Sequence, residues 1–170
     1  MFKYETNSRL IKPGQTFVAI KGYTVDGHDY IEDAIKNGAT AVIAQKEVKC
    51  DVPVTVVENS AEYYQKLLVK EYKDEFKDLK LIGITGTNGK TTSAYLTYQM
   101  LLDLGKKAAY IGTIGFMCGD YFKELPNTSP EILTTYKLLE KAKEMECEYV
   151  VMEVSNFALD QKRIEGLEFV

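Results

Sequence analysis

Histidine, tryptophan, proline and cysteine are all scarce in this chain: one, none, four and three in 170 residues. The single histidine, His28, excludes any multi-histidine metal centre and reads as a surface or packing residue. Cys50, Cys118 and Cys147 are far apart, odd in number and outside any metal-ligand spacing, so they read as idle or buried thiols. Positive charge is not in excess either: the formal net charge is −4, which offers no field for nucleic acid. No run approaches the ~20 apolar residues that a membrane span needs, and the first ten residues lack the apolar core of a signal peptide. What remains is 45% hydrophobic and 27% charged, ordinary globular values. The chain is long enough for one domain or two small ones. These features lead us to expect a cytoplasmic α/β protein with no nucleic-acid or membrane partner.

Periodicity divides the chain into residues 1–78 and 79–170. In the first part, Thr16–Ile20, Ala41–Ala44 and Val54–Val57 are apolar or β-branched runs of strand length. Tyr30, Ile31, Ala34 and Ile35 fall at helical spacing before Asn37-Gly38. Ser60 reads as the N-cap of a helix to about Phe76, with Tyr63, Tyr64, Leu67, Leu68 and Tyr72 as its packing stripe. The polar stretch Lys73–Lys80 reads as a linker. In the second part, Leu81–Thr85, Ala108–Thr113 and Tyr149–Val154 are strands. The first has no polar alternation, as in a parallel strand covered on both faces. A helix spans about Lys90 to Leu104, and Ser129-Pro130 is the N-cap signature of another that runs to about Glu146. Strands alternating with helices of this length imply βαβ units and a parallel sheet. Glu168-Phe169-Val170 looks like the start of one more strand.

The stretch Gly83–Thr92, GITGTNGKTT, carries the chemistry. Glycines let backbone N–H groups approach phosphate oxygens, and the following helix adds the positive end of its dipole. Lys90 can reach the β- and γ-phosphates, and the Thr91 hydroxyl can ligate magnesium. The spacing departs from the standard pattern, which would put glycine at Ile84; the extra glycine is Gly86 instead. The competing reading is a tight strand-to-helix turn with an incidental Gly-Lys-Thr, but strand, loop and helix stand in the required order. Glu153 ends a strand expected beside the loop strand, at the carboxyl edge of a parallel sheet where ligands bind.

Thr85–Thr92, TGTNGKTT, resembles the nucleotide loop of the Mur ligase superfamily, the ATP-dependent amide-forming enzymes of peptidoglycan assembly. Further segments resemble the MurE, or tripeptide-synthetase, type. Asn7–Ala44 is similar to that family's N-terminal domain, with Asn7 in place of the usual Asp of an Asp-Ser-Arg signature. Asn127–Glu131 (NTSPE) resembles Asn-Thr-Thr-Pro-Glu. Met152–Arg163 (MEVSNFALDQKR) resembles Met-Glu-Val-Ser-Ser-His-Ala-Leu-x-x-x-Arg, with Phe157 in place of the His.

The resemblance implies a small N-terminal α/β domain that binds UDP, followed by the first part of a P-loop, parallel-sheet ATPase domain. It implies ATP and magnesium as cofactors, with Gly86, Thr87, Asn88, Gly89, Lys90, Thr91 and Thr92 on ATP. Lys90 and Glu153 would be catalytic, and Thr91 and Glu153 would hold the metal. Thr6, Ser8, Tyr23, Thr24 and Val25 would lie against the uridine diphosphate end of UDP-N-acetylmuramoyl-L-alanyl-D-glutamate. Asn127, Thr128, Ser129, Ser155, Gln161 and Arg163 would hold the rest of this acceptor, Thr128 ahead of Ser129, whose hydroxyl the helix cap would claim. The implied reaction joins diaminopimelate or lysine to the acceptor through an acyl phosphate, in cell-wall synthesis that supports cell shape and division. The family's enzymes are much longer and bind the amino acid in a further domain, so this chain is expected to be a portion of one, inactive alone. A non-catalytic nucleotide- or UDP-sugar-binding module and a folylpolyglutamate synthetase-like ligase remain as alternatives.

Overall fold

The structure is a computed structural model that describes residues 2–22 and 25–170. The chain forms two compact units, residues 1–67 and 68–170.

The first unit holds β1 (Tyr4–Glu5), β2 (Thr16–Val18), α1 (Ile31–Lys36), β3 (Ala41–Ala44), β4 (Val54–Val56) and the first part of α2 (Ser60–Tyr72). Its strands pair in the order β1-β2-β3-β4, all parallel. Phe17, Val42 and Ala44 of the sheet pack with Ile31 and Ala34 of α1 to form its core. The two-residue strand β1 has no sequence periodicity of its own and was not expected. The N-cap of α2 is Asn59, whose Oδ1 accepts from the Glu62 N–H at 3.1 Å. Ser60 instead is buried and donates its hydroxyl to the Ala19 carbonyl at 2.6 Å. Tyr64, Leu68 and Tyr72 are buried as the stripe requires, whereas Tyr63 is 38% exposed.

The second unit contains β5 (Lys80–Ile84), α3 (Lys90–Asp103), β6 (Ala108–Gly112), β7 (Gly115–Cys118), β8 (Tyr121–Lys123), α4 (Ile132–Glu144), β9 (Tyr149–Glu153) and α5 (Asn156–Asp160). The sheet order is β5-β9-β6-β7-β8, with β5, β9 and β6 parallel and the last two strands antiparallel. Ala94 and Tyr98 of α3 pack on Ala108, Tyr110 and Val151. Three sequence expectations are corrected. Lys73–Lys80 is no linker: a 3-10 turn at Lys73–Phe76 leads directly into β5, and Phe76 and Leu79 are buried. Phe76 stacks on Tyr136 with ring centres 5.5 Å apart. β5 is not covered on both faces: only Leu81 of its five residues is buried, and Lys80 and Gly83 are exposed. It does receive a parallel bridge from Phe169, as the C-terminal residues suggested. The helix after Ser129-Pro130 begins at Ile132 with Glu131 in the cap position, so Ser129 caps nothing there. The β7–β8 hairpin, joined by Gly119-Asp120, was not anticipated. Among the described residues, no helix is long and apolar enough to cross a membrane.

Candidate functional site

The loop between β5 and α3 turns sharply because Gly89, at φ +78°, takes a left-handed conformation that side chains disfavour. That turn starts α3 at Lys90, leaving the N–H groups of its first turn without helical acceptors and facing the loop. The 14-residue helix directs its positive end there. Thr85 to Gly89 are exposed, so the loop backbone is open to a ligand. Lys90 folds back on the loop, donating to the Gly86 carbonyl at 2.7 Å and the Thr87 carbonyl at 3.5 Å.

Parallel register sets Ile84, the last residue of β5, against Glu153, the last of β9. Glu153 is fully buried, and four donors converge on its carboxylate. Oε1 accepts from the Tyr110 hydroxyl and, at 2.9 Å, from the Thr113 N–H. Oε2 accepts from Thr91 Oγ1 at 2.8 Å and Thr113 Oγ1 at 3.2 Å. Thr113 Oγ1 also lies 3.3 Å from Thr91 Oγ1 and 3.0 Å from Thr128 Oγ1. Burial and the adjacent Glu153 carboxylate push the Tyr110 phenol well above its ordinary value, so it stays a donor. Gly112 is required here: a Cβ on it would overlap Glu153 Oε1 and the Tyr110 hydroxyl. The Thr91–Thr113–Glu153 oxygens form an oxygen donor set of the kind magnesium prefers. Tyr110, Gly112 and Thr113 were not singled out from sequence. The available signal was Gly112-Thr113 at the carboxyl end of a parallel strand next to β9.

The backbone of Glu153 continues this network. Ser129 is buried and donates its hydroxyl to the Glu153 carbonyl at 3.0 Å, while accepting from the Ser155 N–H at 3.0 Å. Ser155 caps α5, its Oγ accepting from the Ala158 N–H. Arg163 donates from Nη1 to the Ser129 carbonyl at 2.9 Å, and from Nε and Nη2 to Gln161 Oε1 at 3.0 and 2.8 Å. Its guanidinium carbon lies 5.2 Å from the centre of the exposed Phe157 ring. The structure therefore brings Lys90, Thr91, Glu153, Thr128, Ser129, Ser155, Gln161 and Arg163 together in one unit. Asn127 is exposed beside Thr128.

In the first unit, Thr6 and Ser8 follow β1. The buried Glu5 carboxylate accepts from the N–H groups of Thr6 and Asn7 at 3.0 and 3.2 Å. Asn7 caps the 3-10 turn Ser8–Leu10 by accepting from the Arg9 N–H, a task its amide oxygen does without the charge of an aspartate. Ser8 is buried, and Val25 is exposed. Tyr23 and Thr24 lie outside the described residues. His28 packs inward: Nδ1 meets Asp26 Oδ1 at 2.5 Å, and Nε2 accepts from the Gln45 N–H at 2.9 Å. The His28 backbone N–H, then its ring, hold the Asp26 carboxyl below its ordinary value.

The family profile described as Mur ligase family, catalytic domain, matches residues 4–80, and that of the Mur ligase middle domain matches residues 84–170. A UDP-N-acetylmuramoyl-L-alanyl-D-glutamate–2,6-diaminopimelate ligase of Bacillus velezensis is 40% identical over 165 residues, covering 97% of this chain and 34% of the relative. Its counterpart in Halalkalibacterium halodurans is 41% identical over 163 residues, covering 96% and 34%. The chain thus spans about a third of the length of these relatives. A solved structure of a ligase with the same printed name superposes with a TM-score of 0.76 at 26% identity, over 99% of this chain and 35% of that one. A MurF ligase from Thermotoga maritima in complex with ADP gives 0.57 at 27% identity, over 90% and 32%.

Proposed function

This chain belongs to the Mur ligase family, and from that premise we propose that it carries the ATP-binding part of a ligase that extends UDP-N-acetylmuramoyl-L-alanyl-D-glutamate by one amino acid. The observation that carries the reading is the meeting of two strand ends. The open loop after β5 and the carboxylate at the end of β9 share Thr91 through one 2.8 Å hydrogen bond. A nucleotide triphosphate on the loop would find backbone N–H groups, the α3 N-terminus and Lys90 on its phosphates. To do so Lys90 exchanges the Gly86 carbonyl for a phosphate oxygen. Thr91 and Glu153 would hold magnesium, which, when bound, offsets the phosphate charge that moves toward the acceptor carboxylate.

Around that centre the chain's own groups position and desolvate. Tyr110 and Thr113 fix both oxygens of Glu153, so the carboxylate does not reorganise when a cation arrives. Ser129, held by Arg163, and Ser155, held by Ser129, present the neighbouring edge to the acceptor. We assign the first unit to the UDP end of the acceptor through Thr6, Ser8 and the segment Tyr23–Val25. That assignment follows the resemblance of Asn7–Ala44 to the family's N-terminal domain, a segment inside residues 4–80 that the family profile matches. The test is titration calorimetry of the 170-residue chain with ATP and magnesium. Lys90→Ala removes a charged phosphate contact and should weaken binding by ~1.5–3 kcal/mol, roughly ten- to a hundredfold. Equal affinity in the variant would overturn the assignment of the loop.

A further inference from the structure

We propose that Cys118 and Cys147 are an oxidisable pair that closes to an intramolecular disulfide when the protein meets hydrogen peroxide. Cys118 ends β7, opposite Ala109 of β6. Cys147 follows α4, held by its N–H on the Ala142 carbonyl at 2.9 Å, and leads into β9. Although they are distant in sequence, their sulfurs lie 3.0 Å apart. A disulfide needs about 2.05 Å, an approach of roughly 1 Å that small side-chain rotations can supply. No third metal-ligating group joins them among the described residues, so a thiolate metal site does not account for the pairing.

The surroundings give the sulfurs different roles. The Cys147 thiol, then the Lys141 ammonium, pull the Cys118 thiol below its ordinary value, whereas hydrogen bonding to Cys118 and burial push Cys147 up. Lys141 Nζ lies 5.5 Å from the ring centre of Tyr121, the cross-strand partner of Cys118, so a cation stands on the Cys118 side of the pair and Cys118 is the attacking sulfur. Its thiolate attacks one peroxide oxygen, the O–O bond breaks, and the departing hydroxide takes up a proton as water. The Cys118 sulfenic acid is then attacked by the Cys147 sulfur. The S–S bond forms, the S–O bond breaks, and the Cys147 proton leaves with the hydroxide as a second water. In balance, two thiols lose two electrons and two protons to one peroxide.

Position predicts the consequence. Cys118 lies beside the start of β6 and Cys147 beside the start of β9, whereas the phosphate loop and Glu153 lie at the other ends of the parallel strands. Five residues of β9 span roughly 15 Å at ~3.3 Å each. Closure therefore pins the β7–β8 hairpin to the α4–β9 turn without entering the nucleotide site, and stabilises the unit. This inference does not depend on the proposed function. Cys50 is an internal control: it lies in the first unit, with its thiol donating to the Val52 carbonyl.

The experiment treats the folded chain with hydrogen peroxide, blocks remaining thiols with iodoacetamide, and maps peptides by mass spectrometry. The expected product is one cross-linked peptide pair joining Cys118 to Cys147, a mass lower by two hydrogens before blocking, and alkylated Cys50. Dithiothreitol should reverse it, and the oxidised form should melt several degrees higher. Cys118→Ala or Cys147→Ala should abolish the cross-link, and Cys50→Ala should leave it. Sulfinic acid at Cys118 beside an alkylated Cys147, cross-links between chains, or full alkylation of both residues would each overturn the proposal. The wild-type peptide map decides the question even if a variant fails to fold.

Discussion

Tyr110→Phe is the sharpest perturbation of the buried carboxylate. It keeps the ring, which packs against Tyr95 and Tyr98 with centres 6.2 and 6.1 Å away, and removes only the hydroxyl that serves Glu153 Oε1. A hydrogen bond to a charged group contributes about 1.5–3 kcal/mol. Glu153 Oε1 retains the Thr113 N–H at 2.9 Å, so the carboxylate oxygen is not stranded, and the lower half of that range is expected. The second unit should therefore lose about 2 kcal/mol. With a urea slope of about 1–3 kcal/mol per molar, the unfolding midpoint should fall by roughly 1 M. The slope itself should not change, because no cavity opens and the same surface is exposed on unfolding. Magnesium–ATP affinity should fall severalfold with it, as the carboxylate that faces Thr91 loses its brace. An unchanged midpoint would refute the claim that the phenol secures Glu153. A fall several times larger would show that the ring had moved and that packing, not the hydroxyl, was measured.

Two further perturbations test the same unit. Gly112→Ala places a methyl group on Glu153 Oε1 and the Tyr110 hydroxyl; urea unfolding should show a loss of about 1–3 kcal/mol from overpacking, and a wild-type midpoint would mean that the strand ends lie further apart than described. Tyr136 is fully buried, and desolvation, followed by Glu165, raises its phenol from 10.0 to about 12. The folded state therefore keeps this proton longer than the unfolded chain, so stability present below pH 10.0 is lost as pH rises toward 12. That group alone accounts for about 2–3 kcal/mol; denaturant midpoints across the window should fall, and Tyr136→Phe should make the decline shallower.

Contiguous chemistry was legible and assembled chemistry was not. Leu81–Thr92 announces a strand, a glycine turn and a helix in one uninterrupted stretch, and the structure follows it closely because each step is decided by local backbone preference. Ala41–Ala44 is read correctly for the same reason: its β-branched, apolar residues have no competing pattern. Ser129-Pro130 misled because a helix-cap signature and a buried serine that binds the backbone at the end of β9 use the same residue. Only the Glu153 carbonyl and the Ser155 N–H, far along the chain, decide between them. Ser60 failed likewise, its hydroxyl being claimed by the Ala19 carbonyl while Asn59 took the cap. The β7–β8 hairpin had a readable Gly119-Asp120 turn, but its strands of four and three residues gave too little alternation to stand out.

Tyr110 marks the limit of such reading. Within Ala108–Gly112 it is an aromatic residue in an apolar strand, and nothing near it in sequence distinguishes a functional phenol from a core ring. Its role comes from register: β6 sets Tyr110 against Val151 and Ile111 against Met152, which brings its hydroxyl to the next residue of β9, Glu153. A register shift by one residue would turn the phenol to the other face of the sheet, leaving Oε1 with the Thr113 N–H alone if that contact survived. The carboxylate of this site is thus specified by the pairing of β6 with β9 as much as by its own identity. Substitutions along that pairing, remote from the phosphate loop, should therefore weaken nucleotide binding through Glu153.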